Sequence, residues 1–138
     1  MQVTPDVEKA YKIAWMARSQ AHAPYSKFQV GAALKLVGVE DAVPGCNVEN
    51  ASYGATICAE RTAVCTAVSF FGAIKPEFLV IVTGEAKATV PCGMCLQVLA
   101  EFCADEMPVY MGNDKGILTQ KKFKDFLPQA FRVFEVST

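Results

Sequence analysis

The reactive side chains of this chain gather in two short clusters, Cys58-Ala-Glu-Arg61 and Pro91-Cys-Gly-Met-Cys95, separated by one strand-like run. Three thiols suit a zinc ion and leave its fourth coordination position open for water. Glu60 follows the first cysteine by two residues, a carboxylate placed to move protons beside the metal rather than to bind it. Arg61 is three residues from Cys58 and returns to its helical face, where the guanidinium can donate to a thiolate sulfur. That donation has a purpose. Three thiolates leave the centre negative and its water a weak acid, and a cation drawing charge off one sulfur restores acidity. The chemistry these residues point to is activation of water by a metal, with Glu60 as the proton carrier.

Other roles for the same residues remain open at this level. A Cys-x-x-Cys pair is also the mark of a structural zinc half-site or a redox couple. Cys46 could supply a fourth thiolate and close an all-cysteine structural site. The protein would then be a non-catalytic, zinc-stabilised interaction domain in which Glu60 is dispensable. Cys65, seven after Cys58, and Cys103, eight after Cys95, fall at helical core spacing and read as buried packing residues. His22 is the only histidine and reads as a surface or capping residue.

Several elements must position these groups. Thr4-Pro5-Asp6 is a helix start, and Val7, Ala10, Tyr11, Ala14 and Trp15 follow at the spacing of a buried face. Ala23-Pro-Tyr-Ser-Lys27 reads as a loop. Residues 28–37 and 43–48 read as a strand hairpin around an acidic turn. Helices starting near Cys58 and Cys92 flank a strand at 78–82, another strand follows at 108–111, and 120–127 reads as a short helix closed by Pro128. This order predicts a mixed sheet with helices packed on it, a layered α/β fold. Both cysteine clusters sit at helix N-termini, whose partial positive charge lowers thiol pKa values. There, side chains tilt back past the helix end, so Cys58 and Glu60 can converge.

The bulk properties bound the partners. At 138 residues the expectation is a single domain over 1–138. Apolar residues make up 52% of it, more than one small core needs, which points to oligomerisation. A net charge of −1 with interleaved signs argues against nucleic acid as the main partner. The polar start Met1-Gln-Val-Thr-Pro-Asp-Val-Glu8 reads as lacking a signal peptide, and the longest apolar stretch, 67–74, is too short to span a bilayer. The expected location is the cytoplasm, with no membrane partner.

With these residues in place the sequence resembles the small cytidine deaminases of nucleoside salvage, the compact homotetrameric type. The likeness runs in order through Pro24-Tyr-Ser26 with Phe28, Val30-Gly-Ala-Ala33, Asn47-Val-Glu-Asn-Ala-Ser-Tyr53 and Cys58-Ala-Glu-Arg-Thr-Ala63. It continues through Pro91-Cys-Gly-Met-Cys95, Gln97-Val-Leu99 and Glu101-Phe102 to Phe126-Leu-Pro128 and Phe131. The resemblance implies a three-layer α-β-α fold with a mixed five-stranded sheet and helices on both faces. It implies one Zn2+ per subunit on Cys58, Cys92 and Cys95, Glu60 as proton shuttle, and a pyrimidine nucleoside as substrate in a homotetramer. It further implies that Phe28 packs on the pyrimidine, Ala59 offers backbone groups to the base, and Asn47 and Glu49 hold the ribose hydroxyls. Tyr53 and Phe131 would reach active sites across subunit interfaces.

Asn47 and Glu49 also suit hydroxyls on their own chemistry, as a mixed donor-acceptor and a pure acceptor. Turn polarity is the plainer account of that pair, and core or interface packing that of Phe28 and Phe131. The Asn47-Val-Glu49 element disfavours a rival reading, a deaminase for modified cytosine compounds such as blasticidin-type antibiotics. The chain departs from the family pattern at Leu96, where relatives usually carry Arg, at Val90, and in the Arg-Val-Phe-Glu tail after Phe131. The charge compensation at the zinc would then fall on Arg61 and the helix ends.

Overall fold

Stretches 30–36 and 76–83 are almost continuously apolar, the signature of strands buried on both faces. The computed structural model describes residues 1–132 and bears this out. Its elements, in chain order, are α1 (Pro5–Arg18), β1 (Val30–Leu36), β2 (Val43–Cys46), α2 (Ala59–Phe71), β3 (Pro76–Thr83), α3 (Gly93–Ala100), β4 (Pro108–Asn113), β5 (Gly116–Lys122) and α4 (Phe123–Phe126), with a 3₁₀ turn at Tyr53–Ala55. The strands form one sheet in the order β2-β1-β3-β4-β5. Only β3 and β4 run parallel, and α3 lies in the crossover that joins them.

Successive side chains of a strand point to opposite faces, and here each face has its own core. Ala32, Leu34, Leu36, Leu79 and Ile81 point to the side covered by α2 and α3. Ala33, Phe78, Val80 and Val82 point to the side covered by α1. Helices on both faces of a mixed five-stranded sheet make the three layers. Thr4 caps α1 by accepting from the Val7 amide at 3.3 Å, and Val7, Ala10 and Ala14 are buried beneath it. Tyr11 and Trp15 are half-buried rather than core. Gly31 lets α1 settle: a Cβ there would stand 2.0 Å from the Ala14 carbonyl oxygen.

Three further expectations are corrected. The helix expected at 120–127 is strand up to Lys122 followed by the single turn α4. β5 is an edge strand ending in Gln120, Lys121 and Lys122, and edge strands carry charge that discourages further pairing, which hides their alternation. The strand expected at 43–48 ends at Cys46, and Val48 instead makes isolated bridges to exposed His22 and to Ile57. Cys65 is exposed, not buried. The sheet-facing stripe of α2 is Ala59, Glu60, Ala63, Val64 and Ala67, and residue 65 falls on the opposite side. Cys103 is buried as expected. Among the described residues no helix is long and apolar enough to cross a membrane. The tail beyond Arg132 lies outside the described residues.

Candidate metal centre and adjoining pocket

Cys58 and Cys92 occupy equivalent places: each is the N-cap of its helix, with extended backbone and no side-chain capping bond. Their thiols therefore stand free just beyond the ends of α2 and α3. Cys95 lies one turn into α3 and is fully buried. The Sγ atoms of Cys58 and Cys92 are 3.8 Å apart, those of Cys92 and Cys95 3.4 Å, and all three lie within 4.8 Å of one another. Tetrahedral zinc with bonds near 2.3 Å to sulfur sets neighbouring sulfurs about 3.8 Å apart. The donor set and its spacing fit such an ion. Neither Cys46 nor Glu60 belongs to this group. Cys46 instead lines a separate apolar groove of about 550 Å³ between α1 and α2, so the closed four-cysteine site has no support.

Gly45 brings the metal end of α2 onto the sheet. A Cβ there would lie 2.3 Å from the Ala59 carbonyl oxygen and 2.5 Å from the Ala63 nitrogen. Any larger residue pushes the helix start, and with it Cys58 and Glu60, off β2.

The electrostatics favour a thiolate at Cys58. Cys58 is drawn down to about 5, first by the hydrogen bond from Cys95 and then by those from Arg61 and Cys92, against the opposing effect of burial. Cys95 is pushed the other way, by its bond to Cys58 and then by burial. Arg61 donates through Nη2 to Cys58 Sγ at 3.5 Å and to the Thr56 carbonyl at 3.3 Å. Its pKa rises because of the Cys58 bond, so it stays charged. Its Nε is buried with no hydrogen-bond partner among the described residues, a spare donor beside the sulfurs. Leu96 is buried in the core, so no second cation stands at that position. Glu60 is only 5% exposed, and burial raises its pKa above the usual carboxylate range.

Beside the thiols is a cavity of about 190 Å³ walled by Phe28, Asn47, Cys58, Ala59, Glu60 and Cys92, with Val90 among its lining. Thr56 also lines it and is shared with a second cavity of about 370 Å³ bounded by Tyr25, Ser26, Glu49 and Tyr53. The expected site residues are thus divided. Phe28, Asn47, Ala59, Glu60 and the thiols of Cys58 and Cys92 share the first cavity, while Glu49 and Tyr53 bound the second and Cys95 is outside both linings. Tyr53 is 75% exposed and meets Tyr25 edge-on at 5.8 Å. Phe131 is 62% exposed and lies along α3, where its carbonyl accepts from Gln97 Nε2 at 2.8 Å, outside both cavities.

Asn47 is buried, and its amide spans two backbone groups: Oδ1 accepts from Val30 N at 2.8 Å, and Nδ2 donates to Phe28 O at 2.8 Å. One amide hydrogen and one lone pair remain for a ligand. Glu49 accepts from the amides of Tyr25 and Ser26 and from the Ser26 hydroxyl, which together lower its pKa, the hydroxyl most. Sequence reasoning assigned no role to Ser26 or Thr56. Ser26 reaches Glu49 across 23 positions, which no local pattern reports, and Thr56 bonds to nearby Asn50, Tyr53 and Arg61 in a turn that carries no chemical motif.

Three comparisons bear on this geometry. The family model for the cytidine and deoxycytidylate deaminase zinc-binding region matches residues 4–111. A cytidine deaminase of Sporosarcina psychrophila is 46% identical over 134 residues, covering 96% of each chain. Among solved structures, cytidine deaminase from Burkholderia pseudomallei is 38% identical with a TM-score of 0.80, covering 88% of this chain and 96% of that one. Cytidine deaminase from Mycobacterium tuberculosis is 37% identical with a TM-score of 0.76, covering 90% and 95%.

Proposed function

The chain belongs to the zinc-binding cytidine deaminase family, and from that premise we propose that it hydrolyses cytidine and deoxycytidine to uridine and deoxyuridine with release of ammonia, a step of pyrimidine salvage. One observation carries the reading: three thiols lie within 4.8 Å of one another, and two of them, Cys58 and Cys92, line the cavity that also holds buried Glu60 and Phe28. Cys58, Cys92 and Cys95 would hold one Zn2+ per subunit, which when bound supplies Lewis acidity to the attacking water.

The chain's own residues do the rest. Glu60 takes a proton from the water and delivers it to ring N3 as the water oxygen bonds to C4. It then carries the remaining hydroxyl proton to the amino group, the C4–N bond breaks, and ammonia leaves. A single carboxyl must accept and return protons in turn, and burial that raises its pKa brings it nearer the working pH. Arg61 draws charge from the Cys58 sulfur. Phe28 packs on the pyrimidine and Ala59 offers backbone groups to the base. Asn47 and Glu49 take the sugar hydroxyls, so that a free base leaves them unanswered.

Tyr53 and Phe131 are assigned to the pockets of neighbouring subunits in a homotetramer, a role that suits two large aromatics with most of their surface exposed in one chain. The near-neutral net charge supports a small-molecule substrate, and six free cysteines suit a cytoplasmic setting. The test is purified protein with cytidine, followed by the ultraviolet change on loss of the amino group, with zinc measured on the same sample. Turnover with about one zinc per chain is expected. Zinc-loaded protein that leaves cytidine and deoxycytidine untouched would overturn the reading.

A further inference from the structure

Glu49 borders the second cavity, which adjoins the thiol cavity at Thr56, yet one loop already occupies most of its carboxylate. Oε1 accepts the amides of Tyr25 and Ser26, each at 3.0 Å, and Oε2 accepts the Ser26 hydroxyl. A carboxylate offers about four acceptor positions, so one is left on Oε2 for an incoming hydroxyl. The Ser26 oxygen itself accepts the Phe28 amide at 3.0 Å, which commits its single proton to Glu49. A directional chain results, from Phe28 N–H to Ser26 Oγ and from Ser26 O–H to Glu49. On the other side of the same residue, the Phe28 carbonyl accepts from Asn47 Nδ2 at 2.8 Å. The two residues assigned to the sugar thus also grip Phe28, Asn47 directly and Glu49 through Ser26.

The backbone between them is strained. Lys27 has φ 62°, a left-handed conformation that a non-glycine residue holds only when its surroundings impose it. Its amide donates to Ala23 O at 3.0 Å, and the bonds to Ser26 on one side and Phe28 on the other complete the loop. Without the Ser26 hydroxyl, the link from Phe28 to Glu49 is cut and Lys27 is free to relax, carrying Phe28 with it.

We propose that Ser26 is a positioning residue that ties the sugar end of the pocket to the base end, so that a nucleoside hydroxyl anchored on Glu49 also orders the wall that Phe28 presents to the pyrimidine. This rests on the reading of Glu49 and Phe28 as nucleoside contacts, and it adds that the two act through one hydrogen-bonded link. The ligand class that profits is a nucleoside, which engages both ends at once.

The experiment compares cytidine kinetics of the zinc-loaded enzyme with those of Ser26→Ala, Ser26→Thr, Phe28→Ala, Glu49→Gln and the Ser26→Ala/Phe28→Ala pair, with melting temperature and zinc content measured for each. Ser26→Ala should raise KM about tenfold, as loss of a hydrogen bond to a charged group does, with a smaller change in kcat. Ser26→Thr keeps the hydroxyl and should return KM to within about threefold of the parent on the same reasoning. In the Phe28→Ala background, removing the hydroxyl should change KM by less than about twofold, because coupled sites are not additive. Parental KM in Ser26→Ala, or effects of Ser26→Ala and Phe28→Ala that simply multiply, overturns the link. Parental KM in both Glu49→Gln and Phe28→Ala is a different failure, that of the nucleoside contacts themselves.

Discussion

The pocket is assembled by different means at its two ends. At the thiol end, regular secondary structure does the positioning. Cys58 and Cys92 are helix N-caps, Cys95 and Glu60 are buried, and Gly45 lets α2 lie against β2. At the sugar end, loops do it. Ser26 and Tyr53 are exposed, Lys27 is left-handed, and side-chain bonds to backbone hold Phe28 in place. The lesson is that reacting groups stand on helix ends fixed by packing, while recognition groups stand on loops fixed by individual side-chain hydrogen bonds. Damage at the first end should therefore strike turnover and damage at the second should strike affinity.

Removing zinc with a chelator is the most severe way to break the thiol end. Activity should vanish and return on adding zinc alone, and the melting temperature should fall, since metal binding to thiolates is linked to folding. Variants at the sugar end should lose zinc to the chelator no faster than the parent does. Glu60→Gln should lower kcat by about 10³-fold or more, the scale of a lost proton carrier, while zinc content and nucleoside binding stay near the parent. A near-parental rate would end the assignment of Glu60.

Arg61→Ala should lower turnover by about 10- to 100-fold, as loss of a group that tunes a metal ligand does, with zinc still largely bound. Parental activity in the purified, zinc-loaded variant would refute charge compensation by Arg61. The sharpest division within the sugar end is between Asn47 and Glu49. Asn47→Ala leaves the half-buried Val30 amide and the Phe28 carbonyl without their partner, and should cost about 1–3 kcal/mol of stability. Its KM should rise as well. Glu49→Gln should raise KM while melting with the parent, and equal thermal losses in the two variants would erase the distinction.

Much of the thiol end was legible before any coordinates. Cys92 and Cys95 share a helical face by spacing alone, and Pro91 marks the start of the helix that carries them. The α1 start at Thr4-Pro5 and the inner strands were legible for the same reason, that their signals are local and strong. β5 was not, because a charged edge strand lacks a clean alternation of apolar residues. Cys65 misled by its spacing from Cys58. The spacing of seven does return Cys65 to the face of Cys58, but α2 packs on the sheet through the other face, that of Ala59, Glu60, Ala63, Val64 and Ala67.

What the sequence by itself determined is the donor set and its chemistry: which side chains can bind a soft metal, which carboxyl can carry protons, and which helix ends hold them. These follow from residue type and from contacts within a turn or two of chain. Only the tertiary structure decided that the starts of α2 and α3 meet with sulfurs 3.8 Å apart, that Cys46 faces another groove, and that Ser26 reaches Glu49 across 23 positions. Those facts depend on strand order and on bonds between distant segments. A pattern read along the chain carries no record of which distant segments the sheet brings together.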